Sequence, residues 1–400
     1  MRSLFLTTFA VTALAPAFSQ VLGPVTCNIN TLPPEVRANG EAELVSDLVI
    51  VCTSMGPSQS VLINIQVFLN VNLTSRIMNP MTHETEALLL IDEPHPGVPN
   101  LTNGCPYLGQ VLGASGVLAC ASGSGNVYQA RVAANNSVVW LGVPYVTGGT
   151  RTFRMSNIRA NATQIGAVGP GSIQAVVTMA GPVSFTISPP VSTVAFIANG
   201  LKFLSSLGPP NTITLHFGEI FPTAFKKRIE NTFAGPLTAS HQDVPGTPYC
   251  TESGFTPEFS ALTPGAIGSA STGTRLLAHI ANIPPAVSAL TVPNQVPAPA
   301  GTLVADRVVD YLPNYSGGAV LTSTGFGSVA VTPLHTADLL YEVAAAAPFV
   351  GRNGCFTLDS FDIHVIAPVP WIAPIVNGRL APVDPTPVAS PTAPVPRFVP

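Results

Sequence analysis

From residue 63 to residue 74 the chain alternates almost without a break. Ile63, Ile65, Val67, Leu69, Val71 and Leu73 are aliphatic, while Asn64, Gln66, Asn70, Asn72 and Thr74 between them are polar, with Phe68 the one exception. A period of two sends successive side chains to opposite faces of a strand, whereas a helix repeats every 3.6 residues. The stretch therefore reads as a strand with one face in a core. Its other face carries amides and a hydroxyl where Lys and Glu usually stand.

Similar alternating or β-branched runs fill the chain, at residues 43–53, 87–91, 137–146, 172–179, 191–197, 212–217, 274–281, 319–331, 339–344 and 355–367. Asn-Gly pairs at Asn39, Asn103, Asn199, Asn353 and Asn377 sit between or beside them. Both residues tolerate the positive φ of tight hairpin turns. With 34 Gly and 41 Pro, long helices have little room. The pattern predicts an all-β protein of two, or three, tandem antiparallel β-sandwich domains, with a short helical insertion and a Pro-rich tail. Residues 1–19 read as a signal peptide, 20–199 as an N-terminal β-sandwich region, 200–377 as a C-terminal β-sandwich and 378–400 as an extended tail. The break is placed near residues 199–211, NGLKFLSSLGPPN. In the tail Pro382, Pro385, Pro387, Pro391, Pro394, Pro396 and Pro400 favour polyproline conformation. The helical insertion is expected at residues 221–233, where Phe221, Phe225, Ile229 and Phe233 stand four apart. Lys226, Lys227, Arg228 and Glu230 then read as its solvated side rather than a docking patch.

Export is read from the N-terminus. Arg2 gives a positive end, residues 4–14 an apolar middle, and Ala17-Phe18-Ser19 a small-x-small cleavage site before Gln20. After cleavage no apolar run is long enough to span a membrane as a helix. Six cysteines suit an oxidising compartment. They allow 15 pairings, and chain order suggests Cys27–Cys52, Cys105–Cys120 and Cys250–Cys355. Five sequons, at Asn72, Asn100, Asn135, Asn161 and Asn314, are candidate glycosylation sites.

No catalytic constellation stands out. There is no nucleophile elbow, no phosphate-binding loop and no dinucleotide fingerprint, and His83-Glu84 lacks the second His of a zinc-protease helix. Asp92-Glu93 reads as a charged strand end, and Trp140 and Trp371 as core. No catalytic residue, metal ligand or cofactor is therefore assigned.

The segments at residues 33–53, 61–76, 86–94, 151–163 and 216–228, with the terminal APVPRFVP, resemble a loose class of secreted bacterial β-rich surface proteins without known activity. The resemblance implies an exported, sandwich-like, non-enzymatic protein, and it brings no functional residues with it.

Charge decides the expected function. Only 9% of residues are charged and the net charge is -4, so nothing marks nucleic acid as a partner. Charged strands prevent edge-to-edge pairing, and this chain largely lacks them. The expectation is a subunit of an extracellular fibre, sheath or surface layer, with copies of itself as partners and strand addition as one joint. Val25, Cys27 and Ile29 mark a segment that is either a donor strand or the first strand of its own domain. A glycan-binding adhesin is the alternative, and a secreted hydrolase with a dispersed site a third reading.

Overall fold

The computed structural model describes residues 23–79, 81–92, 110–112, 118–120, 127–166, 171–227, 251–254, 268, 270, 272–301, 303–345 and 357–381. The signal segment at residues 1–19, Asn100, Cys105, Cys250, Cys355 and the tail beyond Ala381 lie outside these residues, as does the side chain of Cys120.

Among the described residues nearly every regular element is a strand. The first are β1 (Val25–Asn30), β2 (Glu35–Arg37), β3 (Glu43–Leu44), β4 (Leu48–Ser54), β5 (Ser60–Leu69), β6 (Ile77–Asn79) and β7 (Glu84–Ile91). β8 (Gln110–Leu112) and β9 (Leu118–Cys120) pair with each other. Next come β10 (Val127–Ala134), β11 (Ser137–Val146), β12 (Gly149–Ser156), β13 (Arg159–Ala160), β14 (Gly171–Ala180), β15 (Phe185–Ser188) and β16 (Val191–Ala198). β13 pairs with β3, and the others build one sheet in the order β15-β1-β4-β12-β7-β10-β11-β5-β14-β16-β2, with β6 beside β7. Val25 near one end of this order and Ile197 near the other belong to the same core, so the sheet wraps around it. Most pairings are antiparallel, but β1 with β15 and β2 with β16 are parallel.

The remaining strands are β17 (Leu201–Gly208), β18 (Thr212–Glu219), β19 (Arg275–Ala281), β20 (Ala289–Pro293), β21 (Gln295–Pro297), β22 (Leu303–Val309) and β23 (Ala319–Leu321). They are followed by β24 (Phe326–Ala330), β25 (Ala337–Ala345), β26 (Ser360–Ile366) and β27 (Ile375–Leu380). One sheet runs β17-β18-β26-β20-β24 and the other β21-β22-β25-β19-β27, with β23 beside β22. Side chains from both sheets share a second core, among them Leu215, Phe217, Phe361 and Ile363 from the first and Ala278, Leu339 and Tyr341 from the second.

β5 has the expected alternation: Ile63, Ile65, Val67 and Leu69 are buried, and Leu62 and Asn64 are exposed. The outward amides have internal work. β11 bulges between Trp140 and Val143, where Gly142 takes φ +64°. The Gly142 N–H is thereby freed from the ladder and donates to Asn64 Oδ1 at 2.9 Å. Asn70 accepts from the Gln174 N–H at 2.9 Å and donates to the Ser172 carbonyl at 3.2 Å.

Three expectations are corrected. Residues 221–227 form turns and a bridge, not the start of a helix. Thr223 sits at φ +74°, which no helix admits, and Phe221 and Phe225 enter the core from this turn. Lys226 and Lys227, read as solvated, are only 4% and 2% exposed. The stretch after Gly200 is strand β17. Asn377-Gly378 is not a turn but lies inside β27, and the Phe203 ring occupies the space a Cβ on Gly378 would need.

Candidate assembly edge and interdomain contact

β1 comes first, since the sequence marked it. Val25, Cys27 and Ile29 face the core, and Cys27 is bonded to Cys52 across the β1–β4 pair. β4 occupies one edge of β1 and β15 the other, so β1 has no free edge to lend to another copy. That overturns the donor reading of these residues.

The sequons stand in different settings. Asn161 is buried, and its Oδ1 accepts from the N–H and hydroxyl of Thr163. Asn314 binds the N–H and hydroxyl of Ser316 in the same way. Asn72 is half-buried and Asn135 exposed. Trp140 is core, while Trp371 is half-buried and donates to the Asn211 carbonyl. Asp92 ends β7, pairs with Arg151 and accepts from the Thr152 N–H at 2.8 Å. Among the described residues no three His, Cys, Asp or Glu side chains converge as metal ligands.

The charged side chains are the feature that sequence reading missed. Arg37, Glu43, Asp47, Glu86, Arg154, Arg159, Lys226, Glu252, Arg275 and Glu342 are all buried. Several of them join the two cores. Arg37 on β2 donates to Glu43 at 2.7 Å, to Glu252 at 3.1 Å and to the Thr274 hydroxyl at 2.7 Å. Thr274 in turn donates to Glu252 at 2.6 Å and accepts from the Lys226 N–H at 2.9 Å. Arg159 reaches the Glu252 carbonyl and the Glu86 carboxylate. Burial works against the charge on Arg37, but Glu43 and Glu252 outweigh it and hold the guanidinium above its ordinary pKa. Burial pushes Glu252 up and Lys226 down. With so many charges inside, the exterior is poorer in charge than the composition alone implies.

An uncharged exterior makes the sheet edges decisive. β15 and β2, the ends of the large sheet, have four and three residues. β21 carries Pro297, β27 carries Arg379, and the outer edge of β24 is capped at the Ser328 carbonyl by Arg307. β17 is the longest of these end strands. It is eight residues long with Lys202 as its single charge, and Leu204 and Leu207 are 54% and 60% exposed.

The hydrogen-bond parity of β17 can be worked out. The Ile220 N–H donates to the Gly200 carbonyl, so the even residues of β17 bond to β18. The N–H and C=O groups of Leu201, Phe203, Ser205 and Leu207 therefore point outward, and no hydrogen bond among the described residues takes them up. The outer face of the same sheet carries two polar pairs, His216 with Asp362 at 2.7 Å and Thr214 with His364 at 3.1 Å.

No family model matches the chain, and no curated protein sequence does. Among solved structures, one described as "Biofilm associated protein - B domain" aligns at 6% identity and a TM-score of 0.21, covering 88% of this chain and 73% of its own. The CupB6 tip adhesin from Pseudomonas aeruginosa aligns at 6% identity and a TM-score of 0.15, covering 91% and 98%. A putative membrane anchored protein from Corynebacterium diphtheriae aligns at 10% identity and a TM-score of 0.11, covering 90% and 91%. At these TM-scores the likenesses carry no argument about the site.

Proposed function

We propose that this protein is an exported, non-enzymatic structural subunit of a fibre, sheath or surface layer, and that copies join along the β17 edge. The observation that carries the reading is the open parity of that strand. In an antiparallel pair centred on Leu204, Leu201 of one copy faces Leu207 of the next and Phe203 faces Ser205. All four are residues whose backbone groups point outward, so one two-fold contact pairs both edges in register. The exposed leucines lose water in the same step, at about 25 cal/mol per Å² of apolar surface. Few charges need to be desolvated, which removes the usual penalty for burying such a surface.

A pair of proline variants tests it. Ser205→Pro removes an outward N–H and leaves the β17–β18 ladder whole. Ser206→Pro removes an N–H that the ladder uses. The size of the full chain is measured by sedimentation across concentration, with negative-stain images. The reading expects S205P to melt like the parent yet fail to associate, and S206P to lose stability. A parent that stays monomeric at every concentration, or an S205P that assembles as well as the parent, refutes it.

A further inference from the structure

β26 has a second open edge, and the reason is one proline. The Ala367 N–H donates to the Asn211 carbonyl and the Glu219 N–H to the Asp359 carbonyl, so the odd residues of β26 bond to β18. Ser360, Asp362, His364 and Ile366 turn their backbone groups the other way, toward β20. Only Ile366 finds a partner there, Thr291. The next position on β20 is Pro293, which has no N–H to give, and its carbonyl is taken by the Tyr341 hydroxyl at 2.6 Å. From Asn294 the chain crosses to the other sheet as β21. The two strands part, and a cleft of about 640 Å³ opens between them, lined by Pro293, Gln295, Pro297, Phe326 and His364. The Asp362 and His364 backbone groups have no partner among the described residues.

We infer that this edge receives residues 395–399 of the Pro-rich tail as an added strand. Pro394, Pro396 and Pro400 fall on even positions, and Val395, Arg397 and Val399 on odd ones. A strand paired along one edge uses the N–H groups of alternate residues, and proline is tolerated where the N–H faces away. The segment thus fits a strand that bonds on its odd side and is blocked on its even side, so it ends the sheet. In antiparallel register Arg397 lies opposite Asp362, Val395 opposite His364 and Val399 opposite Ser360. Asp362 is the acidic group on this edge; its Oδ1 is held by His216, which leaves Oδ2 for the guanidinium. Phe398 then falls on the side of β26 that carries Phe361 and Ile363 into the core. The inference goes beyond β17 pairing and does not depend on it: a two-fold contact alone closes a dimer, whereas a tail seated on a neighbour's β26 makes a second joint.

Hydrogen exchange on the full chain tests it, read at the amides of Asp362 and His364, with melting of each variant as a check on folding. In the parent both amides are expected to exchange slowly. Arg397→Pro should speed exchange at Asp362 about ten-fold or more, whereas Phe398→Pro, whose N–H faces away, should leave it slow. Arg397→Asp should weaken protection, and Asp362→Arg in the same chain should restore it. Protection lost on dilution means that the segment comes from a neighbour, and protection that survives dilution means that it folds back on its own chain; either supports the assignment. Fast exchange at both amides in the parent, or equal effects of R397P and F398P, overturns it.

Discussion

Replacing Thr274 by valine is the sharpest probe of the contact between the two cores. The Thr274 side chain is fully buried, and its hydroxyl holds Arg37 Nη1 at 2.7 Å, the Lys226 N–H at 2.9 Å and Glu252 at 2.6 Å. Valine keeps the shape and removes all three bonds. A lost hydrogen bond to a charged group costs about 1.5–3 kcal/mol, and a buried N–H left without an acceptor about 1–3. The extra methyl offsets about 0.8. With two such bonds and one N–H lost, the net loss is about 3–8 kcal/mol. Serine is the control: it keeps the hydroxyl and deletes a methyl, at a cost of about 1 kcal/mol. Urea denaturation of the three proteins gives the order. A role in packing alone predicts that serine hurts more than valine, and the network predicts the reverse. A T274V protein within about 1 kcal/mol of the parent would show that the bonds contribute nothing to joining the halves.

Two further predictions follow from single sites. Removing the Cys27–Cys52 bond, which has a sequence separation of 25, by a Cys27→Ala/Cys52→Ala double change should cost about 3.5 kcal/mol in the chain-entropy model, and an unchanged denaturation midpoint would contradict it. Glu219 is pushed up by burial to about 8, against backbone N–H bonds from Asp359 and Phe225 that pull it down. A carboxyl raised in the folded state favours folding below its unfolded value of 4.5, and that contribution is lost as pH rises toward about 8. Denaturation between pH 5 and 8 should therefore show stability falling in the parent by up to about 1.4 kcal/mol per pH unit, and Glu219→Gln should flatten that fall; equal slopes in both proteins would rule it out.

The alternating strands were legible because their signal is local: the period in β5 lies within ten residues and needs no knowledge of partners. β17 was not, because its residues 204–207 are exposed on both faces, so LSSL carries no inside-outside contrast. The phenylalanines at 221 and 225 mimic a helical stripe, since a tight turn can deliver two side chains to a core as well as one helical turn can. The bonds of Arg37 to Thr274 and Glu252 span 237 and 215 residues of sequence, and nothing near Arg37 announces them. The outward amides of β5 and of the residue after it were read as surface, yet Asn64 and Asn70 are bound to β11 and β14, and their spacing gave no hint of the bulge at Gly142.

Where the charges lie explains the exterior. A buried ion pair contributes little more than a well-packed apolar pair, but losing one partner costs several kcal/mol. Around Arg37, any docking of the two halves other than the native one separates Glu252 from Arg37 and Lys226 from Glu43. The network therefore penalises misdocked arrangements strongly, and it does so from within. A soluble monomer would normally place such charges on its strand edges to repel other chains. Here β15 and β2 are short, β24 and β27 have an arginine, and β21 has a proline. β17 carries Lys202 but is the longest of these end strands, and its outward backbone groups are the ones a two-fold partner in register would meet. Under the proposed reading, the contrast between a long open β17 and the short, proline-bearing or arginine-bearing strands at the other ends of the large sheets separates a joint from a general tendency to aggregate, because a chain that was merely sticky would leave those ends bare without distinction.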